Sequence, residues 1–362
     1  MALGPDIAER LNRARADLRA GVPIILEAGD GGALVFAAET LDPRRFDAAR
    51  TLGAAVLAIT GRRAETLRTP AYDGDIARIA VPVAADAGWI GDVADPASDL
   101  ASPLKGPFRH IREGSAAAAR AAIAVVKSAR LLPAALIVPV ADAAALAAAE
   151  GLTRLPAEDI ATALAAPVVL SPVVHARLPM SVSEAGRLHV FRPDDGGEEH
   201  YAVEIGQPRR DRPVLARLHS ACFTGDLLGS LKCDCGPQLR AALAQMGAEG
   251  AGVLLYLNQE GRGIGLANKM RAYSLQEQGF DTVEANHRLG FEDDERDFRL
   301  GAAILRSMGF DKVRLLTNNP AKIRMMAANG IEVTERVPLK VGQSAHNAGY
   351  LATKAAKSGH LL

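Results

Sequence analysis

The first half of the chain alternates between two kinds of hydrophobic pattern. Residues 7–18 and 117–132 have apolar side chains at helical spacing, whereas 22–26 and 134–140 are short apolar runs typical of buried strands. Strands and helices that alternate along a chain are typical of a layered α/β domain. The pattern therefore predicts an α/β fold for this half.

The pattern changes near residue 165. Pro167, Pro172 and Pro179 interrupt the periodicity within one short stretch, which indicates a boundary. We predict a first domain over 1–170, a linker over 171–177 and a second domain over 178–362. Two domains also suit the length, because 362 residues exceed what one hydrophobic core usually organises.

The second half contains a unit of strand, loop and helix that occurs twice. The predicted elements are a strand at 213–218, a helix opened by Pro237 that continues to 246, a strand at 252–257, a glycine loop at 258–265, a helix at 266–278, a strand at 311–316 and a helix that ends at 328 before Gly330. We therefore expect α/β architecture with mixed sheets in both domains.

Charge and composition limit the class of partner. Lys plus Arg and Asp plus Glu are equal at 42 each, so the basic excess that suits nucleic acid or an anionic membrane surface is missing. We expect a small substrate and neither nucleic acid nor membrane as partner. The cysteines form no paired framework, and no apolar run approaches the roughly 18 residues of a membrane span. The expected location is the cytoplasm.

All three cysteines, Cys222, Cys233 and Cys235, lie in one short run. Thiolates bind Zn²⁺ at about 2.3 Å, and a site with three protein ligands leaves a fourth position for water, as in catalytic zinc centres. Such a zinc ion supplies hydroxide at neutral pH. Two other interpretations stay open at this point, namely three buried free thiols and a structural site closed by His219.

The glycine loop at 259–265 lies between a strand and a helix, where backbone N–H groups can approach a phosphate. It lacks the motif of a P-loop and the glycine spacing of a dinucleotide fold. By itself the loop is as compatible with a tight connection as with a binding site. Arg262 suits a phosphate, and Glu260 suits a base edge or a metal.

Residues 317–320 have the composition of an ordinary helix start, with Thr317 and two asparagines before a proline. That interpretation is as good as a functional one. However, Lys322 lies within the first turn, where exposed N–H groups, a hydroxyl and an ammonium can converge on one phosphate.

An acidic segment over 292–298 also has two interpretations. Asp294 is either the cap of a solvated helix start or an acid/base group, with Arg296 as a bidentate clamp for an anion. On spacing alone, Tyr273 is a packing residue.

Six motifs follow one another in the second half. They are His219-Ser-Ala-Cys222-Phe-Thr-Gly-Asp226, Ser230-Leu-Lys-Cys233-Asp-Cys235-Gly236, Gln259-Glu-Gly-Arg-Gly-Ile-Gly265, Asn286-His-Arg-Leu-Gly-Phe291, Asp294-Glu-Arg-Asp-Phe298 and Leu316-Thr-Asn-Asn-Pro320. In this order they closely resemble GTP cyclohydrolase II of riboflavin biosynthesis, from about residue 178 to the chain end at Gly-His-Leu-Leu. The resemblance implies that a zinc-bound water attacks C8 of the guanine of GTP, that the imidazole ring opens and releases formate, and that pyrophosphate leaves with help from Mg²⁺.

The resemblance also assigns residues. It matches Cys222, Cys233 and Cys235 to the ligands of one zinc ion, Asp294 to a proton acceptor, Tyr273 to a catalytic tyrosine and Arg296 to the arginine of the α-phosphate step. A guanidinium with a pKa above about 12 is a poor nucleophile, so we interpret Arg296 as electrostatic stabilisation. The guanine and phosphate contacts are matched by Arg217, Gln238, Glu260, Gly261, Arg262, Thr317 and Lys322. We expect a homodimer.

One position departs from the family, which usually has His-Ser-Glu-Cys where this chain has Ala221. A glutamate beside a zinc thiolate orients ligands or water, so its loss is expected to lower metal affinity or rate without removing the mechanism. Two other functions therefore stay open. One is a paralogue that opens the ring without releasing pyrophosphate, and the other is a GTP-binding regulator without turnover.

The N-terminal half resembles, more faintly, 3,4-dihydroxy-2-butanone 4-phosphate synthase at 16–26 and 34–39. That family has a dense acidic loop between these segments and a later His-Thr-Glu, whereas this chain has Glu27-Ala-Gly-Asp-Gly-Gly-Ala33 and, near 114–118, Gly-Ser-Ala-Ala-Ala. Mg²⁺ needs several oxygen ligands, which an Ala/Gly stretch does not provide. We predict an inactive domain that is kept for folding, dimerisation or regulation.

Overall fold

The computed structural model describes residues 3–28, 31–344, 347 and 361. Residues 29–30 of the Ala/Gly stretch and most of the chain end after 347 lie outside this description. The chain forms two compact units. The first consists of Met1–Ala166 and Ala267–Asp293, and the second of Pro167–Leu266 and Asp294–Leu362.

The helices, in chain order, are α1 Ile7–Arg19, α2 Pro43–Arg50, α3 Gly61–Thr66, α4 Ala87–Ala94, α5 Ala117–Ser128, α6 Ala143–Glu150, α7 Ala157–Ala165, α8 Cys235–Glu249, α9 Leu266–Glu277, α10 Thr282–Arg288, α11 Arg299–Ser307 and α12 Pro320–Ala328. The strands are β1 Ile24–Ala28, β2 Gly31–Ala37, β3 Val56–Thr60, β4 Ile76–Ala80, β5 Ala134–Val140, β6 Arg154–Pro156, β7 Leu170–Arg177, β8 Gly186–Pro193, β9 His200–Ile205, β10 Val214–Ser220, β11 Gly252–Leu257, β12 Lys312–Leu316 and β13 Glu332–Val337.

The first unit is built on a sheet that, within the described residues, has six strands in the order β4-β3-β5-β2-β1-β6. Its pairs are antiparallel except that of β1 with β6. Successive side chains of a strand point to opposite faces. Here Ile24 and Leu26 enter one core cluster with α1 and α5, whereas Ile25 enters the other with α2 and α4. Both faces of the sheet are therefore covered by helices.

The second unit is built on a sheet of seven strands in the described part of the chain, in the order β13-β12-β10-β11-β9-β8-β7. The strands from β13 to β11 are parallel, and those from β11 to β7 are antiparallel. Leu218 and Leu255 pack with α11 and α12, and Leu215 and Leu254 pack with α8 on the opposite face. The two helix-covered sheets confirm the predicted mixed α/β class.

The segment 171–177, expected to be a linker, lies within β7 and pairs with β8. The prolines were interpreted as a boundary between domains. They lie instead in or beside β7, which is an edge strand with an irregular register between Pro172 and Val174. An edge strand has one unpaired side, and bulges and edges are where a sheet accommodates proline.

Helix α8 begins at Cys235, two residues before the proline that was expected to open it. Pro237 lies inside the first turn, where backbone N–H groups have no intrahelical partner, so proline is tolerated there as well. The earlier start places a cysteine on the first turn of the helix. Among the described residues, no helix is both long and apolar enough to span a membrane.

Candidate active site

The candidate site lies in the second unit, at the end of the sheet where the parallel strands have their carboxyl ends. Strand β10 pairs in parallel with both β11 and β12, so the carboxyl ends of the three strands lie side by side. Cys222 follows β10, the glycine loop follows β11, and Thr317 follows β12. Crevices at the carboxyl ends of parallel strands are the usual ligand sites of α/β sheets. Three chain segments with candidate chemistry thus converge at this edge.

The three cysteine thiols form a cluster. Their sulfurs lie within 4.8 Å of one another, and the sulfurs of Cys222 and Cys233 are 3.7 Å apart. A tetrahedral zinc site with bonds of about 2.3 Å requires sulfurs separated by about 3.8 Å. The spacing therefore fits zinc, and the cysteines are free rather than disulfide-bonded. In the described part of the chain the cluster contains no histidine, so closure by His219 is not supported.

Gly225 packs directly against the cysteine cluster. A Cβ atom at this position would lie 2.8 Å from the Cys233 sulfur, 3.1 Å from the Cys222 sulfur and 3.0 Å from Cys235 Cβ. Real Cβ atoms essentially never approach heavy atoms more closely than 3.0 Å. The thiols can converge only because this position carries no side chain.

Asp226 anchors the turn that carries Cys222, a role that its sequence motif did not predict. Its carboxylate accepts hydrogen bonds at 3.0 Å from the Cys222 backbone N–H and the Tyr256 hydroxyl. His219 Nε2 lies 3.0 Å from both carboxylate oxygens, and its ring stacks on Tyr256. Burial lowers the pKa of His219 and raises that of Tyr256. The only sequence signal was an aspartate four residues after a cysteine.

Arg217 is a buried cation on β10 next to the cluster. Its Nη1 donates to the carbonyl of Leu316 at 2.9 Å, and its Nη2 donates to Gln238, which in turn donates to Asp234. The Nε atom is buried without a hydrogen-bond partner among the described residues. Burial lowers the pKa of Arg217 to about 10, so the guanidinium stays charged at neutral pH. Both Arg217 and the amide of Gln238 are thereby oriented at the strand edge.

The glycine loop is tied to the cysteine turn by Glu260. Its carboxylate accepts from the N–H of Phe223 at 2.6 Å and from that of Gly261 at 2.9 Å. Gly261 and Arg262 adopt φ values of 63° and 62°, a left-handed conformation that is unfavourable for an arginine. A loop that holds such a residue is a specific structure rather than a flexible connection.

Asp294 is not a helix cap, because α11 begins later, at Arg299. Its carboxylate instead forms a bidentate pair with Arg296, with N–O distances of 2.7 and 2.5 Å. Burial would raise the pKa of Asp294, but the hydrogen bonds and charge of Arg296 hold it below its ordinary value. Arg296 Nη1 also lies 3.4 Å from the Ser220 hydroxyl at the end of β10.

The segment after β12 contains a helix cap and a buried lysine. Asn319 caps α12 by accepting from the N–H of Ala321, and Pro320 is the first helical residue, so the helix-start interpretation is confirmed for these two residues. Thr317 and Lys322 are both buried, and Lys322 Nζ donates to the carbonyl of Leu218 on β10 at 2.9 Å.

Ten of the candidate residues thus lie on β10 or on the segments that surround its carboxyl end. They are Cys222, Cys233, Cys235, Arg217, Gln238, Glu260, Gly261, Arg262, Thr317 and Lys322. The Asp294 and Arg296 pair joins them through Ser220. Tyr273 differs, because it lies on α9 in the portion of the chain that belongs to the first unit.

Fold and site define a two-unit α/β protein with a three-thiol centre fit for a metal ion at the edge of a sheet. The sequence profile of a family described as GTP cyclohydrolase II matches residues 171–338. The chain and a GTP cyclohydrolase-2 of Azospirillum brasilense are 46% identical over an alignment of 369 residues. The alignment covers 97% of this chain and 94% of that protein. The chain therefore belongs to the GTP cyclohydrolase II family.

Other relatives match about half of this chain. A GTP cyclohydrolase-2 of Azotobacter vinelandii is 57% identical over 48% of this chain and 84% of its own length. One of Salmonella typhimurium is 53% identical over 53% of this chain and 98% of its own length. Among solved structures, a two-domain 3,4-dihydroxy-2-butanone 4-phosphate synthase from A. baumannii covers 92% of this chain and 100% of its own, at 18% identity and a TM-score of 0.34. A likeness at that level says nothing further about this chain.

Proposed function

We propose that the protein is a zinc-dependent GTP cyclohydrolase II. It hydrolyses GTP to 2,5-diamino-6-(ribosylamino)pyrimidin-4-one 5'-phosphate, formate and pyrophosphate, the first step of riboflavin biosynthesis. The observation that carries the proposal is the three-thiol cluster, which lies beside buried Arg217 and Lys322 at one sheet edge in a member of this family. A soft-ligand metal site next to fixed cations suits a polyphosphate substrate.

Cys222, Cys233 and Cys235 would hold the zinc ion, with Asp226 and Gly225 maintaining the turn on which Cys222 lies. When bound, zinc supplies Lewis acidity and activates water at neutral pH. Mg²⁺ would enter with the triphosphate. In the described part of the chain, the cysteine cluster is the only group of three or more Cys, His, Asp or Glu side chains suited to a metal. Mg²⁺ sites of this kind commonly rely on substrate phosphates.

The pocket residues divide by charge. Arg217, Arg262 and Lys322 would bind the phosphates. The Nε of Arg217, which has no hydrogen-bond partner in the described part of the chain, is a donor already directed by its two neighbours. Thr317, Gly261, Gln238 and Glu260 would supply the neutral and acidic contacts to phosphate and guanine. These fixed donors would stabilise negative charge on the phosphates without further reorganisation.

Asp294 and Arg296 would act one after the other. In the pair, Asp294 is a weak base because Arg296 holds its pKa low. A phosphate that draws the guanidinium of Arg296 to itself would release the carboxylate, and the pKa of Asp294 would then rise because Arg296 no longer holds it low. Tyr273 would complete the catalytic set. Substrate binding and base activation are then one event.

The test is product analysis with zinc-loaded protein, GTP and Mg²⁺. We expect formate and pyrophosphate in equal amounts from the wild type, and loss of formate in Cys233→Ser. Formate without pyrophosphate would indicate the paralogue that leaves the triphosphate intact, and tight GTP binding without either product would indicate a regulator. Ala221→Glu, assayed in parallel, is expected to raise zinc affinity or rate, because it restores the glutamate that the family usually has beside the metal ligand.

Other properties of the whole chain are proposed as well. The homodimer, the cytoplasmic location and the absence of nucleic-acid and membrane partners stay predictions from the sequence, as does the inactivity of the N-terminal half toward ribulose 5-phosphate.

A further inference from the structure

Asp234 is a buried carboxylate to which the proposed reaction gives no role. It lies between Cys233 and Cys235 in the chain, and only 1% of it is exposed. A buried carboxylate costs free energy unless it is hydrogen-bonded and its charge is compensated. The burial of Asp234 therefore calls for a partner.

Helix capping does not account for Asp234, although its position suggests that role. It is the N-cap residue of α8, where an aspartate ordinarily accepts from N–H groups of the first turn. Within the described part of the chain, however, its side chain makes no capping hydrogen bond. The carboxylate instead accepts from Nε2 of Gln238 at 2.5 Å, one turn further along the helix. It thus serves a side chain rather than the helix end.

The segment after β13 packs closely against this first turn of α8. Gly342 has φ +79°, and a Cβ there would lie 2.8 Å from Pro237 Cβ and 3.4 Å from Asp234 Cβ. A side chain at this position would therefore push the segment away from the turn. This close approach contributes to the burial of Asp234.

The side-chain amide of Gln238 has a fixed direction. A carboxylate only accepts hydrogen bonds, and a guanidinium only donates them. Gln238 therefore presents Nε2 to Asp234 and Oε1 to Arg217, whose Nη2 donates to it. A reversed amide would set two acceptors against each other on one side and two donors on the other. Asp234 thus enforces the orientation in which Gln238 accepts from Arg217.

Gln238 is one of two acceptors that hold the guanidinium of Arg217. The other is the carbonyl of Leu316, at 2.9 Å from Nη1. Only 7% of Arg217 is exposed, so nearby charges act on it with little screening. Burial lowers the pKa of Arg217, and the negative charge of Asp234 opposes this effect. Through one amide, Asp234 therefore supports both the direction and the charge of a buried cation.

We infer that Asp234 is a positioning residue for phosphate binding, which acts through the amide of Gln238 on the guanidinium of Arg217. All three residues belong to the second unit. The inference rests on the proposed function, in which Arg217 binds a phosphate of GTP. It adds to the pocket contact proposed for Gln238 a role as the link between the two charges.

The test is a reciprocal exchange in the full-length, zinc-loaded protein, with Asp234→Asn, Gln238→Glu and both together. The asparagine alone leaves the Gln238 amide able to reverse, and the glutamate alone sets two carboxylates against each other. The double variant keeps the total charge and restores every donor and acceptor, because the new asparagine donates to the new glutamate, which accepts from Arg217.

We expect each single change to raise KM for GTP about tenfold with kcat within about threefold of wild type, and the double variant to have a lower KM than either single variant. The matched control is Gln245→Glu on the same helix, where Gln245 lies 3.4 Å from the Glu249 carboxylate, four residues away and at the surface. It is expected to leave KM unchanged, and zinc content is measured for every variant.

Binding of inorganic tripolyphosphate, measured by calorimetry on the same proteins, separates the inference from the proposed function. This probe has phosphates but no ring to open, so Arg217 is expected to bind it whether or not GTP is hydrolysed. If the wild type releases no formate, the proposed function fails, and a tighter tripolyphosphate complex in the double variant than in either single variant still supports the inference.

Three results would overturn the inference. One is a double variant that binds tripolyphosphate no more tightly than the weaker single variant, because the residues would then not act as a linked set. Another is a wild type that does not bind tripolyphosphate. The third is loss of zinc from Asp234→Asn with normal affinity in the molecules that keep it, because Asp234 would then serve the metal site alone.

Discussion

At the scale of single residues, the thiol cluster depends on what surrounds the cysteines as much as on the cysteines themselves. Three sulfurs within 4.8 Å need a turn that brings Cys222 toward the start of α8. Asp226 fixes that turn by accepting the N–H of Cys222, and Gly225 leaves the space into which the sulfurs point. Metal affinity should therefore respond to residues that never touch the metal.

Gly225→Ala tests this dependence. The added Cβ would lie 2.8 Å from one sulfur and 3.1 Å from another, so the thiols must separate and the zinc dissociation constant is expected to rise at least about tenfold, or about 1.4 kcal/mol. Competition with a chromophoric chelator measures it. The control is Gly91→Ala, where a Cβ meets nothing within 4 Å. Wild-type zinc affinity in a folded Gly225→Ala protein would contradict the argument.

Much of the site is predictable at this scale, because the chemistry of a side chain is evident from its residue type. The thiol of Cys222, the guanidinium of Arg296 and the carboxylate of Asp294 lie in motifs that point to them from the sequence alone. The Asp226, His219 and Tyr256 network is not predictable, because it depends on the pairing of β10 with β11, which sets His219 opposite Tyr256. The low pKa of Asp294 likewise follows from a side-chain conformation rather than from the sequence.

At the scale of elements, hydrophobic runs predicted the buried strands well and the edge strand β7 poorly. The strands predicted at 134–140 and 252–257 have those bounds in the structure, because both faces of each are covered and the run ends where burial ends. Strand β7 was missed because most of its side chains are exposed and it contains a proline. Local composition carries little information where a strand has only one neighbour.

The antiparallel part of the second sheet contains a pH-sensitive contact. Glu204 on β9 is buried, accepts from Arg210 at 2.8 Å and lies 2.9 Å from His189 Nε2 on β8. Burial would raise its pKa, but these two partners lower it to about 2. Since the folded-state pKa is below the unfolded value, the contact stabilises fully above about pH 4.5, and this stabilisation is lost as the pH falls toward 2.

Comparing wild type with Glu204→Gln measures the contact. The difference in unfolding free energy is expected to be on the order of 3 kcal/mol near neutral pH and to shrink between about pH 4.5 and 2. Urea unfolding at several pH values gives it. Glu335→Gln removes an exposed carboxylate of the same sheet and should differ from wild type by less than about 1 kcal/mol. A gap for Glu204→Gln that grew on acidification would reverse the sign and refute the assignment.

At the scale of the whole molecule, the chain leaves the second unit and returns to it through the segment Ala267–Asp293. The hydrophobic pattern does not predict this excursion, because α9 and α10 follow the glycine loop directly and continue the unit of strand, loop and helix. Ion pairs such as Arg271 with Glu39 join residues more than 200 positions apart. Local patterns do not contain partners at that separation.

A fragment ending at Ala166 should therefore be an incomplete folding unit. It lacks α9 and α10, so Thr60, Arg62 and Glu39 lose their contacts with Gly290, Glu292 and Arg271. We expect a lower thermal midpoint for fragment 1–166 than for the same fragment joined to 267–293 through a Gly/Ser-rich linker. The matched control is the same fusion carrying Arg271→Met, which should recover only part of the difference.

This expectation changes how inactivity of the N-terminal half is to be tested. Absence of ribulose 5-phosphate turnover by 1–166 or 1–170 alone would be uninformative, because such a fragment loses part of its own unit. The assay belongs in the full chain, where we expect no turnover with Mg²⁺, since the Ala/Gly stretch at 27–33 has few oxygen ligands to hold the ion. Turnover there would make the protein bifunctional, whereas equal stability of 1–166 and the fusion would remove the reason for avoiding the fragment.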